Sequence, residues 1–169
     1  MKKVTFKGNT VTLVGEQIKV GDKAPEFKGT KNDLSEFNSK DLLGKVVVYS
    51  VVPSIDTGVC SIQAKTFNEE ATQFSEDVVI YTISLDLPFA QSRFCAAEGV
   101  ERAEIISDYK EREFGLKYGF LIDELKLLSR GVVIVDKEGK VAYVEYVEEV
   151  SKEVDFNTAI EEVKKLVRD

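Results

Sequence analysis

Two cysteines, Cys60 and Cys95, are the residues best suited to nucleophilic or redox chemistry in this sequence, and no histidine accompanies them. Cys60 ends the stretch P-S-I-D-T-G-V-C, which begins at Pro53 and lies between an apolar run and a segment with helical spacing. The missing histidine excludes a Cys-His nucleophile pair and argues against a zinc enzyme. Two cysteines are also too few for a structural zinc site or a disulfide framework. The sequence therefore indicates a thiol that is activated without histidine.

A cysteine attacks as its thiolate, so Cys60 needs surroundings that favour negative charge on the sulfur. Asp56 or Thr57 can cap the following helix, which places Cys60 in its first turn. There, unpaired N–H groups and the helix dipole favour an anion. The Thr57 hydroxyl can also turn toward the sulfur, while Gly58 permits close backbone approach and Pro53 stiffens the loop. The alternative is an inert buried thiol, because free cysteine is commonly a small core residue.

The second cysteine, Cys95, is far from Cys60 in the sequence, so the chain has no C-x-x-C motif. This disfavours a dithiol of the thioredoxin type. A reversible disulfide remains open, but it requires Cα atoms roughly 4.4–6.8 Å apart. Two cysteines on different helices seldom meet that condition without local unfolding. The alternative for Cys95 is a packed thiol on an amphipathic turn.

Composition and charge indicate an ordinary globular chain of 169 residues, long enough for one domain with a sizeable core. Hydrophobic residues make up 43% and charged residues 31% of the sequence. The net charge of −7 argues against a nucleic-acid or anionic-membrane surface, both of which need clustered Lys and Arg. The start, M-K-K-V-T-F-K-G-N-T, lacks an apolar signal core, and no run approaches membrane-spanning length. We therefore expect an intracellular, cytoplasmic protein.

The hydrophobic pattern of the first half predicts strands and a helix around Cys60. About residues 3–14 alternate around Gly8-Asn9 and predict a β-hairpin. Two apolar runs, Lys45–Val52 and Val78–Ser84, are typical of strands buried on both faces. Between them, the segment Val59–Phe74 has the spacing of a helix. Its recurring apolar residues are Val59, Ile62, Phe67, Ala71 and Phe74.

The second half continues the alternation of helices and strands. The predicted elements are a helix capped by Asp86 that runs from about Pro88 to Gly99, a strand at Ile105-Ile106, a helix from Tyr109 to Tyr118 broken at Gly115, strands Gly131–Asp136 and Val141–Val147 around a D-K-E-G turn, and an amphipathic helix Asp155–Val167. This order predicts an α/β protein with a thioredoxin-like fold. We expect a central mixed β-sheet flanked by helices and an extra N-terminal hairpin, all in a single domain over residues 1–169.

Four parts of the sequence resemble the peroxiredoxin family. P-S-I-D-T-G-V-C resembles its active-site motif P-x-x-x-T-x-x-C, and the form S-x-D-T-x-V-C is similar to that of the atypical two-cysteine, or thiol peroxidase, subfamily. The stretch L-D-L-P-F-A-Q-S-R-F-C, from Leu85 to Cys95, resembles the segment that carries the second cysteine of that subfamily. V-G-D-K-A-P-E-F and the N-terminal hairpin are also similar, so the resemblance covers nearly the whole chain.

The resemblance implies a thioredoxin-dependent peroxidase that reduces hydrogen peroxide and organic hydroperoxides, alkyl and lipid, in antioxidant defence. Cys60 would be the peroxidatic cysteine, and Cys95 the resolving cysteine that closes a redox disulfide between Cys60 and Cys95. Thr57 and Arg130 would stabilise the departing oxygen, and Pro53 would shield the sulfur from water. The implied cycle uses no metal or other cofactor.

The resemblance also implies partners and specificity. The expected partners are hydroperoxide substrates, thioredoxin as the reductant and a second copy of the chain in a homodimer that packs near the active site. Neither nucleic acid nor a membrane is expected. Phe89 and Phe94 would form an apolar collar that favours alkyl hydroperoxides, with ordinary packing as the alternative.

Two other classes of function are compatible with the same residues. One is a disulfide oxidoreductase with a thioredoxin-like fold, which the missing C-x-x-C motif disfavours. The other is a redox sensor or binding module that passes oxidation from Cys60 to a partner. The combination of T-x-x-C, Arg130 and Cys95 favours the peroxidase.

Overall fold

A seven-stranded mixed β-sheet forms the centre of the protein, and a separate two-stranded sheet is formed by the N-terminal hairpin. The computed structural model describes residues 2–71, 73–99 and 104–167. The strands are β1 (Lys3–Phe6), β2 (Asn9–Thr12), β3 (Lys28–Thr30), β4 (Glu36–Asn38), β5 (Val46–Val51), β6 (Val78–Ser84), β7 (Glu104–Ser107), β8 (Gly131–Val135) and β9 (Val141–Tyr146). The helices are α1 (Gly58–Ala71), α2 (Pro88–Glu98), α3 (Glu113–Lys117) and α4 (Phe156–Val167), with a short 3-10 helix at Ser39–Leu42.

The order of strands across the central sheet is β4-β3-β7-β6-β5-β8-β9. The three neighbours β5, β6 and β7 run parallel, with α1 and α2 as their connections, whereas the other pairs are antiparallel. The mixed sheet flanked by helices confirms the predicted fold class. Because the carboxyl ends of parallel neighbours meet at one edge, the segments that follow β5 and β6 lie side by side. These are the segments that lead to Cys60 and to Cys95.

The central strands are buried on both faces because apolar residues alternate toward two separate clusters. Val46 and Val48 of β5 face a cluster shared with α1 and α4, which includes Phe67 and Val163. Their neighbour Val47 faces the opposite, aromatic cluster. The aromatic rings of that cluster belong to Phe27, Phe37, Tyr49, Tyr81, Phe114, Tyr118 and Phe120.

The N-terminal hairpin is confirmed, but its turn lies one residue earlier than predicted. Phe6 pairs with Asn9, so the two-residue loop is Lys7-Gly8, and both residues have positive φ, 51° and 84°. Such a turn matches the twist of the two strands. Thr5 of β1 also exchanges backbone hydrogen bonds with the segment after β9, accepting from Val150 N and donating to Glu148 O. The hairpin is thereby joined to the chain just beyond the central sheet.

Several predicted elements need correction. The hairpin β3–β4 was not predicted, because each strand has only three residues and no apolar alternation. The predicted break at Gly115 is wrong, since α3 runs through it and begins only at Glu113. The strands and the turn around D-K-E-G, the strand at Ile105-Ile106 and the final helix are confirmed. No helix in the described part of the chain is long and apolar enough to span a bilayer.

The apolar face predicted for α1 is confirmed only in part, since Phe67 is buried and Phe74 packs against the same cluster. Ile62 is 48% exposed, whereas Cys60, Gln63, Ala64 and Phe67 are buried. The side chain of Ala71, part of the predicted face, lies outside the described residues. The buried side of α1 also carries the polar residue Gln63. The spacing of apolar residues alone does not reveal a buried face that includes a polar side chain.

Candidate active site

The turn before α1 places Cys60 as expected from the sequence. The helix begins at Gly58, and the Thr57 hydroxyl accepts a hydrogen bond from the Cys60 backbone N–H at 3.3 Å. Thr57 is therefore the N-cap, and it also donates to Ser54 O at 3.4 Å. Asp56 is exposed and lies 4.0 Å from Arg93, so it does not cap the helix. Cys60 lies in the first turn and is 0% exposed.

Arg130 is the side chain that reaches the Cys60 sulfur. It precedes β8 and is only 2% exposed. Its Nη2 donates to Cys60 Sγ at 3.1 Å, its Nη1 to Gln63 Oε1 at 3.0 Å, and its Nε to Val150 O at 2.7 Å. The three bonds hold the guanidinium against the sulfur from the sheet side.

The buried guanidinium is a charge that needs an anion. Two of its acceptors, an amide oxygen and a backbone carbonyl, are neutral, and within residues 2–71, 73–99 and 104–167 no carboxylate forms an ion pair with it. An isolated buried charge is costly unless it is paired. The Cys60 sulfur is the one acceptor of Arg130 that can itself ionise. The guanidinium of Arg130 is thus a buried cation in direct contact with the Cys60 sulfur.

Gln63 is a residue of the site that the sequence did not reveal. It lies three residues after Cys60, on the same face of α1. Its Nε2 donates to Ser50 Oγ at 2.8 Å and to Val51 O at 3.2 Å, and its Oε1 accepts from Arg130. Gln63 thus links β5, α1 and the guanidinium. The only available signal was a glutamine at i+3 from the candidate cysteine, which by itself is not specific.

Asp86 has a different role from the one predicted. Leu87 is the N-cap of α2 and makes no side-chain cap, so the prediction that Asp86 caps this helix is wrong. Instead, its carboxylate accepts from Ser54 Oγ at 2.8 Å, Ile55 N at 2.9 Å and Ser84 Oγ at 2.6 Å. Asp86 therefore joins the segment after β6 to the loop before α1. Only the adjacency of parallel strand ends brings these residues together.

Cys95 lies on α2 and is half-buried, and neither cysteine forms a disulfide. Its side chain packs against the apolar cluster that contains Cys60 and Phe94. Its sulfur accepts a hydrogen bond from Asn32 Nδ2 at 3.7 Å. Burial raises the pKa of the Cys95 thiol, and the bond from Asn32 partly opposes this effect. The two cysteines therefore border one cluster from two helices, with different polar neighbours.

The remaining predicted site residues lie near Cys60 to different degrees. Pro53 is buried in the loop between β5 and α1. Phe94 is buried in the Cys60 cluster, whereas Phe89 is 67% exposed. The described residues contain no group of three or more Cys, Asp or Glu side chains arranged to hold a metal ion.

Comparison with known proteins assigns the chain and its fold to a class of thiol-dependent oxidoreductases. A profile of the Redoxin family matches residues 19–160. The thiol peroxidase of Oceanobacillus iheyensis is 54% identical over 165 residues, covering 98% of this chain and 100% of that protein. The thiol peroxidase of Bacillus subtilis is 49% identical over 168 residues, covering 99% of this chain and all of that protein. The chain belongs to the redoxin family and, within it, to the thiol peroxidases.

A solved structure supports the same assignment. The crystal structure of a peroxiredoxin-like protein from Aquifex aeolicus superposes with a TM-score of 0.90 at 42% identity, covering 98% of both chains. This confirms the peroxiredoxin type of thioredoxin-like fold. The protein is a thiol-dependent peroxidase, an oxidoreductase of the peroxiredoxin type.

Proposed function

We propose that this thiol peroxidase reduces hydrogen peroxide and organic hydroperoxides to water and alcohols through Cys60. The observation that carries the proposal is the bond from the buried Arg130 to the Cys60 sulfur. A buried cation in contact with a thiol stabilises the thiolate that attacks the peroxide. It also stabilises the negative charge that develops on the departing oxygen when the O–O bond breaks.

The first step oxidises Cys60. Its thiolate attacks the terminal oxygen of R–O–O–H, the O–O bond breaks, and the electron pair departs as alkoxide, which takes up a proton and becomes the alcohol. Cys60 becomes a sulfenic acid. Arg130 and the N–H groups at the start of α1 stabilise the departing charge. Thr57 holds the turn, and its hydroxyl has to give up its bond to Ser54 O before it can donate to the peroxide. The buried Pro53 excludes water from the sulfur.

The second step regenerates the enzyme. Cys95 condenses with the sulfenic acid of Cys60 to form an intrachain disulfide, and thioredoxin reduces that disulfide by thiol–disulfide exchange. The two thiols lie on different helices and are free in this structure, so turns of α1 and α2 have to loosen before the bond forms. Asp86 bridges the two segments that have to separate.

The experiment that tests this cycle is intact-mass spectrometry of the reduced protein after one equivalent of cumene hydroperoxide. We expect a loss of two hydrogens and a peptide that links Cys60 to Cys95. A gain of one oxygen at Cys60 with Cys95 still free would keep the peroxidase and overturn the intrachain step. An unchanged mass would contradict the role of both cysteines.

The assembly, location and domain count remain part of the proposal. A homodimer that packs near the active site is supported by Leu87 and Phe89, two large apolar side chains exposed beside the Asp86 bridge. Sedimentation at micromolar concentration tests it, and a purely monomeric boundary would contradict it. The cytoplasmic location and the single domain over residues 1–169 stay predictions from the sequence.

A further inference from the structure

The turn between β3 and β4 brings a polar side chain to Cys95. Asn32 lies in this turn, which is closed by bonds from Lys31 N to Ser35 O and from Leu34 N to Lys31 O. The Asn32 Nδ2 group donates to Cys95 Sγ at 3.7 Å. The Asn32 Oδ1 atom is buried and has no hydrogen-bond partner among the described residues. The amide oxygen of Asn32 is therefore buried without a partner, whereas its amide nitrogen donates to the Cys95 thiol.

Packing does not explain an asparagine at this position. A buried carbonyl oxygen without a partner lowers stability, and an apolar side chain of similar size would avoid that loss. What asparagine supplies and an apolar residue does not is an N–H donor at the sulfur. The hydrogen bond to Cys95 is therefore the contact through which Asn32 can affect the chemistry of the site.

Cys95 needs such a donor because its own helix works against the thiolate. It lies in the last turn of α2, and its carbonyl accepts the bond from Gly99 N that ends the helix. The negative end of the helix dipole disfavours an anion there. Burial raises the pKa of the thiol as well, and the Asn32 bond lowers it.

No charged side chain accounts for the pKa of Cys95. Burial and the Asn32 bond are the two causes that shift the pKa of Cys95, with no charged side chain among them. The titratable groups on the elements packed there are Cys60, Lys65, Glu69 and Glu70 of α1, Arg93 and Glu98 of α2, Glu104 of β7, Asp56 in the loop before α1, and Lys31 and Asp33 of the turn. Lys65 pairs with Glu98, and Asp33 accepts from Ser35.

We propose that Asn32 is a catalytic residue of the resolving step, in which its Nδ2–H group stabilises the Cys95 thiolate before that thiolate attacks Cys60. The inference rests on the proposed function. In the step itself, the Cys95 sulfur supplies the electron pair of the new S–S bond and is oxidised. The sulfenic sulfur of Cys60 is reduced, its S–O bond breaks, and the oxygen leaves as hydroxide. The proton lost from the Cys95 thiol converts that hydroxide to water.

The direct test measures Cys95 without any peroxide. In the Cys60→Ser protein, the rate of Cys95 alkylation by iodoacetamide is followed against pH, with Asn32 intact, as Asn32→Ala and as Asn32→Asp. We expect the midpoint to move to higher pH in the alanine variant and further in the aspartate variant, whose charge repels the thiolate while keeping the shape. The alkylation rate below the midpoint should fall about 3- to 10-fold for alanine. Lys31→Ala, in the same turn, is the matched control.

Unchanged midpoints in both variants would overturn the inference, whatever happens with peroxide. Equal shifts for alanine and aspartate would also overturn it, because they would indicate a loosened turn instead of a lost donor. The melting temperatures of all variants identify any folding defect. Asn32→Gln restores an N–H donor, so the pH midpoint of Cys95 alkylation should lie closer to the wild-type value than it does in the alanine variant.

Stopped-flow oxidation then separates this inference from the proposed function. In the protein with both cysteines, Asn32→Ala should leave the sulfenic acid forming on Cys60 at the wild-type rate and slow disulfide formation by the factor seen in alkylation. Slower accumulation should also expose Cys60 to further oxidation to the sulfinic acid. If wild-type Cys60 does not react with peroxide at all, the proposed function fails, and the alkylation result still decides the role of Asn32.

Discussion

The surroundings of Cys60 and Cys95 differ at each point that controls thiol reactivity. Cys60 lies in the first turn of α1, where the helix dipole favours an anion, whereas Cys95 lies in the last turn of α2, where the dipole opposes one. Cys60 accepts a bond from the buried guanidinium of Arg130, and Cys95 accepts one from the neutral amide of Asn32. The same chemical group thus lies beside a cation and a helix N-terminus at one position, and beside a neutral amide and a helix C-terminus at the other.

In the proposed cycle, this difference lets two thiols in one apolar cluster act in sequence. The charge and dipole at Cys60 would favour its reaction with the incoming peroxide. Cys95 would then make the slower, intramolecular attack on the oxidised Cys60. Burial alone does not make this distinction, since Cys60 is the more buried of the two.

The largest expected effect separates the two cysteines directly. Cys60→Ser should abolish peroxide consumption, because no other described thiol has a cationic donor. Cys95→Ser should still consume one equivalent of peroxide and should lose only recycling by thioredoxin. Single-turnover and steady-state peroxide assays check both variants. Substantial turnover by Cys60→Ser would contradict the attacking role of Cys60. Full thioredoxin-linked activity by Cys95→Ser would contradict the resolving role of Cys95.

The cationic donor is expected to account for the next largest effect. Arg130→Met should slow Cys60 oxidation by about 10³-fold, the upper range for loss of one oxyanion-type donor. Arg93→Met is the matched control, since Arg93 is exposed on α2 and lies 4.0 Å from Asp56. The rate of sulfenic acid formation is the measurement. If sulfenic acid forms in Arg130→Met within a few-fold of the wild-type rate, Arg130 has only a structural role.

The cap of α1 should have a smaller effect. Thr57→Val removes the oxygen that accepts from Cys60 N, and it should slow oxidation by about 10²-fold while lowering the free energy of unfolding by about 1 kcal/mol. Thr57→Ser keeps the hydroxyl and should recover most of the rate. Denaturant unfolding and peroxide kinetics on both variants separate the two effects. Equal rates for valine and serine would contradict a role for the hydroxyl.

The bridge between the two segments should have the smallest effect on rate. Asp86→Asn leaves one oxygen to serve three donors, Ser54 Oγ, Ile55 N and Ser84 Oγ. We expect a loss of about 1–3 kcal/mol in stability and a several-fold slower Cys60 oxidation, because the loop before α1 is less well held. Disulfide formation should not slow further. The exposed Asp56→Asn is the control, and equal stability of the two variants would argue against the bridge.

The candidate chemistry and most of the fold could be predicted from the amino-acid sequence. A lone T-x-x-C at a strand-to-helix junction, without histidine, indicates a thiol at a helix N-terminus, and the structure confirms this position. Long apolar runs predicted β5 and β6 because strands buried on both faces have few other patterns. Short strands such as β3 and β4 carry too few residues for a pattern, so their hairpin was not predicted.

The side chains that complete the site became evident only from the folded protein. Gln63, Asp86 and Asn32 are ordinary polar residues in the sequence, and their contacts join segments distant along the chain. The parallel pairing of β5 with β6 brings Asp86 to the loop before α1, and the turn between β3 and β4 brings Asn32 to Cys95. Periodicity records which residues face a core, but hydrogen bonds between separate elements depend on distances that arise only when the sheet is assembled.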